Sequence, residues 1–261
     1  MAGQPLSSLR LKGHYDFGPL GLQSAPQALM AAVAQVIARW TLAQTHLGSA
    51  FAELIGSRSP STVSIYASFD SFKAQKQMLV TASGELLPQR YARLCRALLA
   101  VIERGAKERH RFAHWVCGAF VGQKPKEDCL LLADPKGFWK LRVQQIKHFR
   151  RNPDDRTVHA TQPRLDHREI MVYREADLLR VYRQLELAEW AAYGIECLVR
   201  ATPKQRLQIL RQLLAQPDVL AAYEKDRQTK KARPKAAPKQ PRVSSRAKRE
   251  AALATKQAKI G

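Results

Sequence analysis

The chain has 261 residues, 45% hydrophobic and 25% charged, which is a globular balance with room for one sizeable domain and an appendage. Lys and Arg outnumber Asp and Glu by 44 to 22, and the resulting +22 far exceeds the net charge of roughly 2–8 that solubility needs, so a polyanion such as nucleic acid is the expected partner. Four scattered cysteines without a C-x-x-C pair argue against a disulfide framework, and the longest weakly polar run is too short for a bilayer; a cytoplasmic protein with reduced thiols is expected.

Residues 1–25 read as an irregular arm, interrupted by Gly13, Gly18, Pro19 and Gly21 and lacking the apolar core of a secretory leader. Pro26 suits a first helical turn. From there Val33, Ile37, Trp40, Leu47, Phe51 and Leu54 follow three-and-four spacing, and Gly56 supplies a stop. A second helix is expected from Ser59 and Pro60 to Gly84, with Val63, Tyr66, Phe69, Phe72, Lys76 and Leu79 along one stripe. A third starts near Pro88, turns Tyr91, Leu94, Cys95, Leu98 and Ile102 inward, and runs into the basic stretch "AKERHRFAHWV". Helices of this length with short breaks predict an antiparallel bundle.

Beyond Trp115 the pattern changes. "GAFVGQKPKED" reads as loop, "CLLLAD" as a short strand closed by Pro135, and "EIMVY" (169–173) as its partner. The polar, aperiodic "FRRNPDDRTVHATQPRLDHRE" between them reads as an exposed loop. Helix resumes from Glu175 to about Arg200, and Thr202-Pro203 caps a shorter one ending near Ala215. The end of the chain is rich in Lys, Arg, Ala, Pro and Gln, with little to bury, and is expected to be disordered when free. The expected fold class is therefore mainly α, an antiparallel helical bundle with a small two-stranded β excursion and a disordered basic C-terminal tail. Its divisions are an arm over 1–25, a helical domain over 26–222 and the tail over 223–261. Lys230, Lys231 and Arg233 of the tail are expected to meet phosphates without reading sequence.

Several chemistries are excluded by their missing motifs. The chain has no phosphate-cradling glycine loop in a strand-to-helix setting, no G-x-S-x-G and no H-E-x-x-H. A zinc site built from His110, His114, Cys117 and Cys129 would use ligand-competent residues, yet their spacing matches no zinc module, so no metal and no cofactor is expected. Arg109, His110 and His114 remain, arranged as R-[N/D/H]-x-x-x-H. Histidine titrates near neutrality and can take or give a proton, and a guanidinium can hold a phosphate bidentately. Positions five apart on a regular helix diverge by about 140°, so Arg109 and His114 would not share a face, whereas His110 and His114 would.

In this motif the chain resembles the HEPN superfamily, all-helical domains of toxin–antitoxin, phage-defence and RNA-processing systems. Many members carry asparagine where this chain has His110. The resemblance implies a metal-independent endoribonuclease acting as a homodimer, with motifs of two protomers meeting across the interface, and an antitoxin or regulatory partner. His114 would then be the acid/base, Arg109 the phosphate clamp and His110 the residue that orients or tunes the site. Arg104, Lys107 and Arg111 would add phosphate contacts. Two other readings stay open: a basic helical RNA/DNA-binding protein without catalysis, and an interaction protein using the Trp and Tyr surface of residues 173–193.

Overall fold

The computed structural model describes residues 3–9, 14–17, 25–57, 59–69, 71–121, 128–140, 143 and 168–232. Seven helices of eight or more residues are formed among them: α1 (Gln27–Leu54), α2 (Pro60–Ala67), α3 (Phe72–Leu86), α4 (Gln89–His114), α5 (Glu175–Arg200), α6 (Pro203–Leu214) and α7 (Pro217–Ala232). Five strands accompany them: β1 (Gln4–Pro5), β2 (His14–Phe17), β3 (Val116–Val121), β4 (Cys129–Ala133) and β5 (Ile170–Tyr173). The protein is mainly helical with a small antiparallel sheet. It divides into two units, Met1–Glu224 and Lys225–Gly261.

The core rests on two helices far apart in sequence. Along α1 the buried positions are Leu29, Val33, Val36, Trp40, Ala43, Leu47, Ala50 and Leu54, alternating four and three apart. Along α5, Leu178, Val181, Leu185, Ala188, Ala192, Ile195 and Val199 do the same. This is the spacing of a coiled-coil seam, and the alanines let the two backbones approach closely. The expected stripe on α1 was thus partly misplaced: Ile37 is exposed, and the small Val36, Ala43 and Ala50 are buried instead. Ion pairs flank the seam in the same order along both helices. Arg39 meets Glu186 and Glu189 at 3.3 and 2.7 Å, His46 Nδ1 lies 2.6 Å from Glu196, and Arg200 Nε donates to Glu53 at 3.2 Å. The order shows that α1 and α5 run parallel. Helices consecutive in the chain pack antiparallel: Lys76 of α3 reaches Glu103 of α4, and Gly105 of α4 lies against Leu185 and Ala188 of α5.

The second expected helix is broken in two. Ser68 folds its hydroxyl back onto the Ile65 carbonyl at 2.7 Å, and Ser71 starts afresh by accepting from the Ala74 amide at 3.2 Å. Short hydroxyl side chains offer the backbone such alternatives, and here they interrupt a stripe whose apolar spacing alone reads through. Helix α3 also passes Gly84 and ends at Leu86. By contrast the stop after α1 is where expected, with Gly56 at φ +68°, a left-handed value that glycine accepts without strain.

The sheet is larger than the two-stranded excursion anticipated. Its order is β1-β5-β4-β3-β2, and every neighbouring pair is antiparallel. The β4/β5 pair is the one expected, with Leu131 opposite Val172. The additions come from Val116–Val121, which read as the start of a loop because of its glycine, and from the N-terminal arm, which supplies both edges. Every residue of β4 and β5 is buried. Leu130, Leu132, Met171 and Tyr173 join the helical core, while Cys129, Leu131, Ile170 and Val172 join Leu6 and Phe120 in a smaller cluster on the other face. Burial on both faces accounts for the unbroken apolar run. The expected loops over 122–127 and 149–167 lie outside the described residues.

At the C-terminal end, Thr202 stands at the N-cap of α6 as expected, and Gln205 completes a capping box with it. Helix α7 follows, anchored by the fully buried Val219, and continues to Ala232. Residues 223–232 are therefore helical where disorder was expected, because "EKDRQTKKA" holds no helix breaker. Positions 233–261 lie outside the described residues. Among those described, no helix is long and apolar enough to cross a membrane.

Candidate functional site at the end of α4

Helix α4 stays regular to its last residue, and the Trp115 amide closes the final turn on the Arg111 carbonyl at 2.9 Å. No kink brings the three motif residues together. His110 and His114 are both exposed, one turn apart on one face, with ring centroids 4.6 Å apart. Arg109 projects from another flank and is half-buried; its Nε is enclosed and has no hydrogen-bond partner. Burial pulls the Arg109 guanidinium below its ordinary value, though an arginine so perturbed still carries its charge. His110 is also held below the usual imidazole range, by partial burial first and then by the positive charges of His114 and Arg109. A basic last turn, here Arg111 and His114, also complements the negative end of the helix macrodipole.

The expected phosphate contacts divide. Lys107 is exposed and makes no hydrogen bond or ion pair among the described residues. Arg104 donates to Asp218 at 2.7 Å, a pair in which both side chains are half-exposed. Arg111 belongs to the interior: it lies 3.3 Å from the carboxylate of buried Glu108, 3.4 Å from the Tyr173 hydroxyl, and its guanidinium sits 5.6 Å from the centre of the Trp115 ring. Tyr173 in turn donates to Glu108 at 3.4 Å and packs its ring edge-on against Phe112. This cluster bolts the last turns of α4 to β5, and Arg111, expected as a phosphate contact, takes part in it. The sequence offered no sign of it, because Glu108 and Tyr173 are 65 positions apart. Lys230 and Lys231 lie within α7, and Arg233 is outside the described residues.

The zinc alternative fails on geometry. Cys117 pairs with Leu132 in the register, on the face of the sheet turned to the helices, while Cys129 packs in the cluster on the opposite face. Among the described residues no group of three or more metal-ligating side chains is gathered, and none of the four cysteines is in a disulfide.

Two residues that sequence reading passed over flank the histidines. Beside His110 lies an open depression of about 290 Å³, walled by Phe72, Ala106 and Trp115 and rimmed by Glu103, Lys107 and Arg111. Glu103, Lys107 and His110 recur at four and three positions on α4, which is a visible spacing. Phe72 comes from α3 and carries no such signal. Lys76 donates to Glu103 Oε2 at 2.8 Å and, with Lys107, holds the carboxyl below its ordinary range.

Compared with protein-family models, curated proteins and solved structures, the chain finds no match.

Proposed function

We propose that the exposed His110/His114 pair is the acid–base centre of a metal-independent endoribonuclease of HEPN type, cytoplasmic and active as a homodimer. The observation that carries this reading is the pair itself: two imidazoles in contact, open to solvent, at the end of a helix in a strongly basic protein. RNA cleavage without a metal requires one group to accept the 2′-hydroxyl proton and another to protonate the leaving 5′-oxygen. His110, held below its ordinary value, is the better base at neutral pH. His114, at the very tip of the helix, is placed to protonate. Lys107 is the adjacent cation free to meet the nucleic acid.

Arg109 and His114 cannot face one phosphate within a single copy, because an unbroken helix separates them by about 140°. A second protomer must therefore supply the clamping arginine, and this requirement is the ground for the dimer. Toxin–antitoxin or phage-defence roles, with a neutralising partner, follow from the same resemblance. A second reading, a basic helical RNA/DNA-binding protein without catalysis, is favoured by the position of Arg109 off the histidine face in a chain of net charge +22.

The deciding experiment incubates single-stranded RNA with the purified protein in EDTA, alongside His110→Ala, His114→Ala and Arg109→Ala. Cleavage by the parent, lost in all three variants and restored by mixing Arg109→Ala with His114→Ala protomers, supports the dimeric enzyme. RNA left intact but bound, with affinity falling steeply as salt rises, supports the binding reading.

A further inference from the structure

The depression beside His110 combines an aromatic wall, a fixed carboxylate and an exposed ammonium. Its volume of about 290 Å³ is at the small end of ligand pockets and suits one planar ring system. Phe72 and Trp115 offer the flat apolar surface on which an unpaired base stacks. Phe72 is held in place edge-on by Trp40, with ring centroids 5.5 Å apart, and Trp115 by the overlying Arg111 guanidinium.

The polar rim narrows the choice of base. Lys76 fixes Glu103 through one lone pair of Oε2, so Oε1 and the second lone pair of Oε2 remain as acceptors for a pair of donors. An ionised carboxylate only accepts hydrogen bonds, so it selects an edge presenting donors. Guanine presents two side by side, N1–H and the 2-amino group. Adenine and cytosine each present a single exocyclic amine beside a ring-nitrogen acceptor, and uracil has one N–H between two carbonyls. One turn beyond Glu103, Lys107 supplies the cation that guanine O6 requires next to those donors. Carboxylate and ammonium, four positions apart on α4, suit two donors beside an acceptor, and guanine is the base whose pairing edge presents two donors.

We propose that this depression is a guanine-binding subsite, with Phe72 and Trp115 stacking the base, Glu103 accepting from N1–H and the 2-amino group, and Lys107 donating to O6. This rests on the RNA reading above and sharpens it: the substrate is single-stranded RNA with an unpaired guanine next to the phosphate held at His110 and His114.

Calorimetric titration of the full-length protein with the 5′-monophosphates of guanosine, inosine, adenosine, cytidine and uridine tests the subsite apart from catalysis. The guanosine nucleotide is expected to bind tenfold or more tighter than the adenosine one, with inosine, which lacks the 2-amino group, in between. Glu103→Gln should abolish the preference and Lys107→Met should weaken guanosine binding about tenfold, both with melting temperatures near that of the parent. Should Glu103→Gln unfold through loss of the Lys76 pair, Glu103→Asp, which keeps the charge and withdraws it, should still narrow the preference. Equal affinity for all five nucleotides, or a preference surviving the Glu103 variants, overturns the proposal. Two RNA oligonucleotides differing in one unpaired guanine or adenine separate the claims. Preference for the guanine strand without cleavage removes the enzyme and keeps the subsite; cleavage indifferent to the base keeps the enzyme and removes the subsite. Binding of the free nucleotide with no preference between the strands assigns the depression to a guanine nucleotide and overturns its role in RNA recognition.

Discussion

Arg111→Ala tests whether this arginine is a phosphate contact or a structural cation. In the folded protein it neutralises Glu108, whose side chain is 7% exposed, while its own is 19% exposed. Deleting the arginine strands a buried carboxylate, and breaking a buried pair in this way costs about 3–5 kcal/mol. The separations of 3.3 and 3.4 Å are long, and the arginine keeps some access to water, so the lower end applies, about 3 kcal/mol. For a domain of this size that lowers the melting temperature by roughly 6–12 °C. Urea titration and calorimetry read the loss. The control is Arg104→Ala, which breaks the half-exposed pair with Asp218 and should cost no more than about 1 kcal/mol. Replacing the cluster with apolar side chains, Glu108→Leu with Arg111→Met and Tyr173→Phe, should recover most of the stability, since the Glu108 carboxylate and the Tyr173 hydroxyl are removed together with the arginine. If Arg111→Ala costs no more than Arg104→Ala while weakening RNA binding, Arg111 is a nucleic-acid contact and its structural assignment is wrong.

Glycine positions give a paired expectation. A Cβ on Gly105 would lie 2.9 Å from Leu185 Cδ2 and 3.0 Å from the Ala188 Cβ, which cannot swing aside, so Gly105→Ala should lose about 1–2 kcal/mol even after the gain in helix propensity. Gly84→Ala meets nothing within 4 Å and should gain up to about 1 kcal/mol; denaturant melts of both compare the signs. Burial pushes the Cys95 thiol and the Tyr173 hydroxyl each up to about 12, while their unfolded values are near 8.5 and 10. The neutral forms favour the fold, so this stability is complete below about pH 8.5 and is lost as pH rises toward 12; Cys95→Ala should flatten the earlier part of the decline in stability measured by urea titration. Finally, His114→Gln removes a neighbouring positive charge and should raise the His110 pKa, as followed by NMR of the imidazole ring; an unchanged titration would show that the two rings do not sense each other.

How far the sequence could be read depended on whether the deciding interaction was local. Pro26 and Pro88, with their fixed φ, and Ser59 and Thr202, with their hydroxyls, marked the start of α1, α4, α2 and α6 because both effects act within one turn. The break between α2 and α3 turned on the hydroxyls of Ser68 and Ser71, and an apolar stripe does not register such competition. Ala43 and Ala50 were overlooked because their burial expresses how closely α5 approaches, and the flanking pairs Arg39–Tyr182 and His46–Glu196 are 143 and 150 positions apart. Strand β3 holds Gly118 and is confirmed only by its partners, Phe17 on one side and Leu131 on the other. At the site, the histidine pair was legible from four-residue spacing. Glu108, Tyr173 and Phe72 were not, since each acquires its role across a tertiary contact.

The parallel pairing of α1 with α5 bears on how the chain is made. The first helix leaves the ribosome with Val36, Ala43, Leu47 and Ala50 facing nothing, and its most extensive partner is complete only when Arg200 has been added. Strand β1 waits likewise for β5, whose Val172 pairs with Gln4. Both elements thus wait for partners made well over a hundred residues later, at a rate of about 5–20 residues per second. The nascent chain carries an open apolar seam for roughly ten seconds or more. Fragments that stop short of α5 should therefore be the ones that chaperones hold or that aggregate, whatever the final protein does with RNA.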